Sequence, residues 1–353
     1  MQVSRSYPLG KLPADHLSRL LDRYAPTDPD VVVGPRVGED AAVVALTPGR
    51  YLVAKSDPIT FATDEIGWYA VHVNANDLAC CGAVPRWWMA AVLLPEGKAS
   101  PELVDTIFHQ FAQACGQVGA QLVGGHTEIT YGLDRPIVVG TMLGEVEPGG
   151  LVSTDGARPG DVLLLTKGIA VEGTAIIARE KRAELAGRVP DALLARCAGF
   201  LHEPGISVVP EAQLACRVAG NGVHAMHDPT EGGVITGLHE LAAASGCGLE
   251  VVGHQLPVLP ETRAVCEPFG LDPLGLIASG SLLAAVAPGS AGELISALRE
   301  AGIQAADIGR VLPAGAERVI IWGDERRPLP MFPRDELARL FDGGQVASME
   351  PGS

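Results

Sequence analysis

Four short segments of this chain carry acids in settings where a carboxylate can do more than meet solvent. They are Gly38-Glu39-Asp40, Lys55-Ser-Asp-Pro58, the run NANDLACCGAVP from Asn74 to Pro85, and HDPTEGG from His227 to Gly233. A fifth, VGGHTE from Val123 to Glu128, reads as a glycine loop with no lysine beside it. Carboxylates at strand ends and helix starts, with a bare glycine turn, suit a site for magnesium and a polyphosphate. A nucleotide-using enzyme is the leading expectation.

Each acid also has a plainer reading. Asp77 falls inside a helix of small and apolar residues, between Val71 and Leu78, where a charge is expensive unless it is paired or bound to a cation. A solvent-facing turn is the alternative. Asp57 follows the apolar run Tyr51 to Ala54 and precedes proline, so it projects from a strand end, with Lys55 on the same face of the extended chain. Asp-Pro is equally a turn signal, and Asp40 could serve only the turn after Gly38. Asp228 before Pro229 reads most simply as a helix start, its carboxylate capping backbone N–H groups. Gly124-Gly125 could serve close packing, and His126 is as readily a neutral loop residue as a phosphate contact.

Other chemistries are excluded by pattern. There is no GxxxxGK[ST], no GxGxxG opening a helix after a strand, and no GxSxG elbow; His239-Glu240 lacks a second histidine at zinc spacing. The seven cysteines form no CxxC pair and read as reduced, buried thiols of a cytoplasmic protein. A net charge of −16 argues against nucleic acid as a partner, while magnesium can still stand between acids and phosphates. No apolar run reaches the roughly 20 residues of a membrane helix, and the N-terminus lacks the apolar core of a signal peptide.

Elements that must position these residues alternate along the chain. A helix is predicted over 10–24, then strands at Val31–Val33, Ala41–Leu46 and Tyr51–Ala54. A helix capped by Thr63 or Asp64 runs to Cys81. Another opens at Ser100-Pro101, with Leu103, Ile107, Phe108, Phe111 and Cys115 as its buried stripe. A strand at Pro136–Leu143 precedes a junction marked by the turns at 147–150 and 157–160. Beyond it come a strand at Asp161–Thr166, helices near 171–187, 190–200 and 206–219, and a helix from Asp228 to Ala244. A strand at Leu249–Val252, a helix near 260–268, a strand at Ser281–Val286, a helix at 290–301 and a strand at Arg318–Trp322 complete this half. After Pro328 only a short helix over Arg334–Phe341 is predicted, before a loose tail. The class is α/β and α+β in two domains, 1–152 and 153–330, followed by a tail at 331–353.

As an ordered set, the motifs resemble the superfamily of aminoimidazole ribonucleotide (AIR) synthase, hydrogenase maturation factor HypE, selenophosphate synthetase and thiamine-monophosphate kinase. The carriers are GEDAAVV at 38–44, KSDP, NDLACCGAVPRWWMAAVLLPEG at 76–97, GGHTE at 124–128, RPGDVLLLTKG at 158–168, HDPTEGGV at 227–234 and ASGSLLAAV at 278–286. The resemblance implies a homodimer in which N-domain strands pair across subunits, with ATP held in a cleft through Mg²⁺. By motif, Asp40, Asp57, Asp77 and Asp228 would be the metal acids, and Asp57, Asp77 and Lys55 the catalytic set. Asn76, Gly124, Gly125, His126 and Thr127 would join Asp40 near the nucleotide. HDPTEGG and ASGSLL lie closest to the HypE branch and differ from the D-x-S-D-G-L of thiamine-monophosphate kinases. The terminal cysteine of that maturation factor has no counterpart in MEPGS, and His126 replaces a frequent acid. The implied function is ATP-dependent phosphorylation of an oxygen, an amide oxygen in the amide-activating members, on a small or protein-bound substrate. A maturation partner protein accompanies that reading. A thiamine-monophosphate kinase-like enzyme and a non-catalytic ATP-binding scaffold are the alternatives.

Overall fold

The computed structural model describes residues 14–23, 26–36, 39–60 and 64–341. Gly38, Thr63 and the tail beyond 341 lie outside the described residues. The first half contains α1 (Ala14–Arg23), β1 (Val31–Val33), β2 (Ala42–Thr47), β3 (Arg50–Ile59), α2 (Ile66–Cys80), β4 (Val84–Pro95), α3 (Pro101–Val118), β5 (Gln121–Thr130) and β6 (Ile137–Val146). Its strands form one sheet in the order β1-β2-β3-β6-β4-β5, antiparallel except for the β4/β5 pair. Every residue of α2 except Val73 is buried, the mark of a helix covered on all sides. One face meets the sheet, and the apolar core continues on the other into Phe200, Leu201, Ile206 and Val208.

The second half contains β7 (Val162–Thr166), α4 (Val171–Glu180), α5 (Arg182–Leu185), α6 (Asp191–Ala198), α7 (Val209–Ala219), β8 (Val223–His227), α8 (Gly233–Ala244), β9 (Gly248–Val252), α9 (Pro260–Cys266), β10 (Leu283–Val286), α10 (Pro288–Glu300), β11 (Ala305–Leu312), β12 (Arg318–Trp322), β13 (Glu325–Pro328) and α11 (Glu336–Phe341). Its sheet runs β13-β12-β9-β11-β7-β10-β8. Sheets and helices thus mix in both halves, as expected. Among the described residues no helix is long and apolar enough to cross a membrane.

Four departures from the sequence reading matter for the site. β3 does not end at Ala54 but continues through Lys55-Ser-Asp-Pro to Ile59, because β6 pairs with it throughout. β2 pairs only as far as Ala54, so among the described residues the far half of β3 has no strand on that side, which tolerates Pro58. VGGHTE is not a loop but the middle of edge strand β5. Gly125 is needed there: its φ is +146°, and a Cβ would lie 2.1 Å from the Ala90 carbonyl oxygen. α8 begins at Gly233 rather than Asp228, after Gly232 and Gly233 turn the chain with φ of +79° and +69°. Asp228 is therefore no helix cap. Finally, Phe108, expected in the α3 stripe, is 38% exposed, whereas Ser100 does cap α3 by accepting from Leu103 N–H.

Candidate active site: an acidic cluster between the two sheets

Strand alternation puts Lys55 and Asp57 on the face of β3 that looks toward α2. Asp77, near the C-terminal end of α2, meets them. Lys55 Nζ lies 3.1 Å from Asp77 Oδ2 and 3.6 Å from Asp57 Oδ2. Asp77 Oδ2 is closed off from solvent and meets the ammonium as a charge, without an aligned hydrogen bond.

The second half adds the end of β8. Here His227 Nδ1 sits 3.0 and 3.1 Å from the two carboxylate oxygens of Asp40, a residue 187 positions earlier in the chain. Thr154 Oγ1 donates to Asp40 Oδ2 at 3.2 Å, and His227 Nε2 lies 3.0 Å from Glu240 Oε2 on α8. Asp228 is 1% exposed. Its Oδ1 accepts from the Cys80 thiol at 3.7 Å, and its Oδ2 has no partner. Donor atoms of Asp40, His227 and Asp228 all fall within 4.8 Å of one another.

The electrostatics are those of crowded carboxylates. Burial pushes Asp77 up to about 7, with Lys55 pulling it down and Asp40 and Asp57 adding repulsion. Burial, then Asp77 and Asp40, hold Asp228 well above the usual carboxylate range. Burial works against the charge on Lys55, yet Asp77, Asp57 and Asp40 raise its affinity for a proton. His227 behaves alike: burial opposes its charge, and Asp40 and Glu240 raise it well above an ordinary histidine. Five carboxylates (Asp40, Asp57, Asp77, Asp228, Glu240) thus face two basic groups, Lys55 and His227. The carboxylates of Asp40 and Asp228, with Asp228 Oδ2 orphaned, fit a hard divalent cation such as Mg²⁺, which those two acids would hold; His227 Nδ1, the third donor of the group, is taken up by Asp40, and Asp77 and Asp57 stand beside them on Lys55.

The predicted residues divide into three groups. Lys55, Asp57, Asp77, Asp40 and Asp228 converge. Asn76 does not face that cluster: its Nδ2 donates to Ile206 O and its Oδ1 accepts from Val208 N–H, both at 2.8 Å, so its amide is spent on clamping α2 to the second half. Gly124, Gly125, His126 and Thr127 stand apart. Register runs Asp57–Gly140–Ala90–Gly125 across three strand spacings, about 14 Å at the usual interval. These residues line a separate apolar cleft of about 200 Å³ with Phe108, Phe111 and Leu122, and His126 Nε2 pairs with Glu128 at 3.0 Å. His227, Thr154, Glu240 and Cys80 are site residues that sequence reasoning did not single out. A histidine directly before Asp-Pro, ending the strand VHAMH, was the available signal for the first of them.

The chain matches two domain families: AIR synthase related protein, N-terminal domain, over residues 38–146, and AIR synthase related protein, C-terminal domain, over residues 158–321. It is 33% identical over 292 residues to carbamoyl dehydratase HypE of Cupriavidus necator, covering 79% of this chain and 78% of that protein. With carbamoyl dehydratase HypE of Escherichia coli it shares 30% identity over 301 residues, 84% of each chain. Among solved structures, hydrogenase maturation protein HypE in complex with ATP superposes with a TM-score of 0.69 at 26% identity, covering 92% of this chain and 97% of that one. A thiamine-monophosphate kinase bound to AMPPCP and TMP shares the fold, with a TM-score of 0.67 at 19% identity over 87% of this chain and 91% of that one. The chain therefore belongs to the AIR synthase related family, with a PurM-like fold, and is related to the HypE carbamoyl dehydratases.

Proposed function

We propose that this protein uses Mg²⁺ and ATP to phosphorylate the oxygen of a carbamoyl or other carboxamide group and then dehydrates it. The observation that carries this reading is the grouping of Asp40 and Asp228 from the two halves, with Asp77 and the partly exposed Asp57 beside them on Lys55, and with Asp228 Oδ2 left unpartnered. A bound Mg²⁺ would be held by these acids and would supply positive charge against the phosphates. The chain's own residues do the rest. Lys55, held by Asp77 and Asp57, presents a fixed positive charge where phosphoryl charge moves. The His227–Asp40 contact holds the two halves at one separation, so that acids from both act on one ligand.

Relatives named carbamoyl dehydratase support the amide oxygen as acceptor. In balanced form, the amide oxygen attacks the γ-phosphorus and ADP leaves. Loss of the amide protons with C–O cleavage then releases phosphate and leaves a nitrile. The test is oxygen transfer. With ATP, Mg²⁺ and a carboxamide labelled with ¹⁸O, the label should appear in inorganic phosphate. ADP release with unlabelled phosphate throughout a panel of amides overturns the reading. We also place homodimerisation within this proposal, since all ten residues of edge strand β5 except Thr130 are exposed, including Leu122, Val123 and Ile129.

A further inference from the structure

His239-Glu240 is the one motif of the sequence that found no use in zinc chemistry, and the fold separates its two members. His239 turns away, with Nε2 at 2.9 Å from the Pro330 carbonyl oxygen and Nδ1 facing Arg318. Glu240 turns inward to His227 Nε2. The other nitrogen of that ring addresses both oxygens of Asp40, which comes from the opposite half of the chain.

We propose that Glu240 is a positioning residue: through the His227 ring it sets the orientation of the Asp40 carboxylate, and so the cation affinity of the whole cluster. The inference rests on the Mg²⁺–ATP reading above. Three observations carry it. Ring placement is fixed at both nitrogens, so rotation about the His227 side chain breaks two contacts at once. Asp40 has no other hydrogen-bonding side chain among the described residues than Thr154 and His227. Lastly, α8 is seated close against the Asp-Pro turn. Gly237 faces Pro229, and a Cβ there would lie 2.8 Å from the proline ring, so glycine lets the helix approach until Glu240, three residues on, reaches the imidazole. A carboxylate behind a metal-ligating histidine typically changes metal affinity by about 10–100-fold when it is removed, and here the histidine acts one step further out, through Asp40.

The Glu240 side chain is 30% exposed, so its truncation leaves no large cavity. The experiment is Mg²⁺-dependent ATP binding by calorimetry on the full chain, comparing wild type, Glu240→Ala and Glu240→Gln, with melting temperatures in the absence of ligand. Glu240→Ala should raise the Mg²⁺ concentration needed for half-maximal ATP binding by about 10–100-fold. Glu240→Gln keeps an acceptor oxygen for Nε2–H and should recover most of that loss. Equal Mg²⁺ requirements in wild type and Glu240→Ala overturn the role of Glu240 and leave the Mg²⁺–ATP reading standing. Equal losses in Ala and Gln variants, matched by an equal fall in unliganded melting temperature, overturn it in favour of a structural role. No Mg²⁺-dependent binding by wild type overturns both readings.

Discussion

Asp77 can be replaced without removing its shape. In Asp77→Asn the partner of Lys55 loses its charge while the turn of α2 keeps its packing. We expect ATP-dependent ADP release to fall by at least about 100-fold, the scale on which an electrostatic group at developing charge acts. A steady-state assay checks this, and retention of activity within a few-fold would remove Asp77 from the machinery. Glu172 provides a pH prediction away from the cluster. It is buried at the start of α4 with Oε2 unpartnered, and burial, opposed by a Ser279 hydrogen bond, raises it from 4.5 to about 7. The fold therefore holds a proton that the unfolded chain releases. Its stabilising contribution is full below pH 4.5 and is lost as pH rises toward 7. Glu172→Gln should thus match wild type at pH 4 and exceed it by about 1–3 kcal/mol at pH 8, read from urea unfolding. A constant difference across that range would contradict it. At this scale the acids were legible, because a carboxylate on an apolar background stands out in one dimension. His227, Glu240 and Thr154 were not, because their roles depend on contacts with residues far away in sequence. The contacts of Asn76 were hidden for the same reason: only the fold brings the 206–208 backbone to it.

Elements hold this site through buried polar clamps more than through loops. Lys167, at the end of β7, bonds the carbonyls of Gly205 and Ser207 and pairs with Glu211 at 2.6 Å, while Asn76 takes the alternate backbone groups of the same segment. Glu211→Ala strands a buried ammonium and should cost about 3–5 kcal/mol in urea unfolding. A loss below about 1 kcal/mol would show that the pair contributes nothing net. Many elements were readable from periodicity and from the turns between them. β4, β8, β11 and β13 were not: β4 is a long apolar run without a clean alternation, β8 carries two histidines, β11 is broken by Gly309, whose φ of +152° accompanies a register shift, and β13 is four exposed residues. β5 was mistaken for a loop because two adjacent glycines signal a turn locally. Their purpose, close approach of β5 to β4, is visible only across strands.

Taken whole, the molecule joins two sheets through α2, the helix that carries Asp77 on the side facing the second half. The exposed β5 edge predicts a homodimer in solution. Ile129→Glu together with Leu122→Glu should shift the mass measured by light scattering to that of a monomer, and an unchanged mass would place the interface elsewhere. The family was legible from the order of its motifs, and with it the grouping of Asp228 with Asp77; the residues read one by one could not give that grouping, since it depends on the packing of the second half. The central claim is that acids from both halves form one Mg²⁺–ATP site. It is tested most directly by calorimetric titration of ATP into wild type and Asp228→Asn, each with and without Mg²⁺. Binding by wild type should require Mg²⁺ and be weakened at least about tenfold, or 1.4 kcal/mol, in Asp228→Asn. Binding of equal strength with and without Mg²⁺, or unchanged by Asp228→Asn, would contradict it.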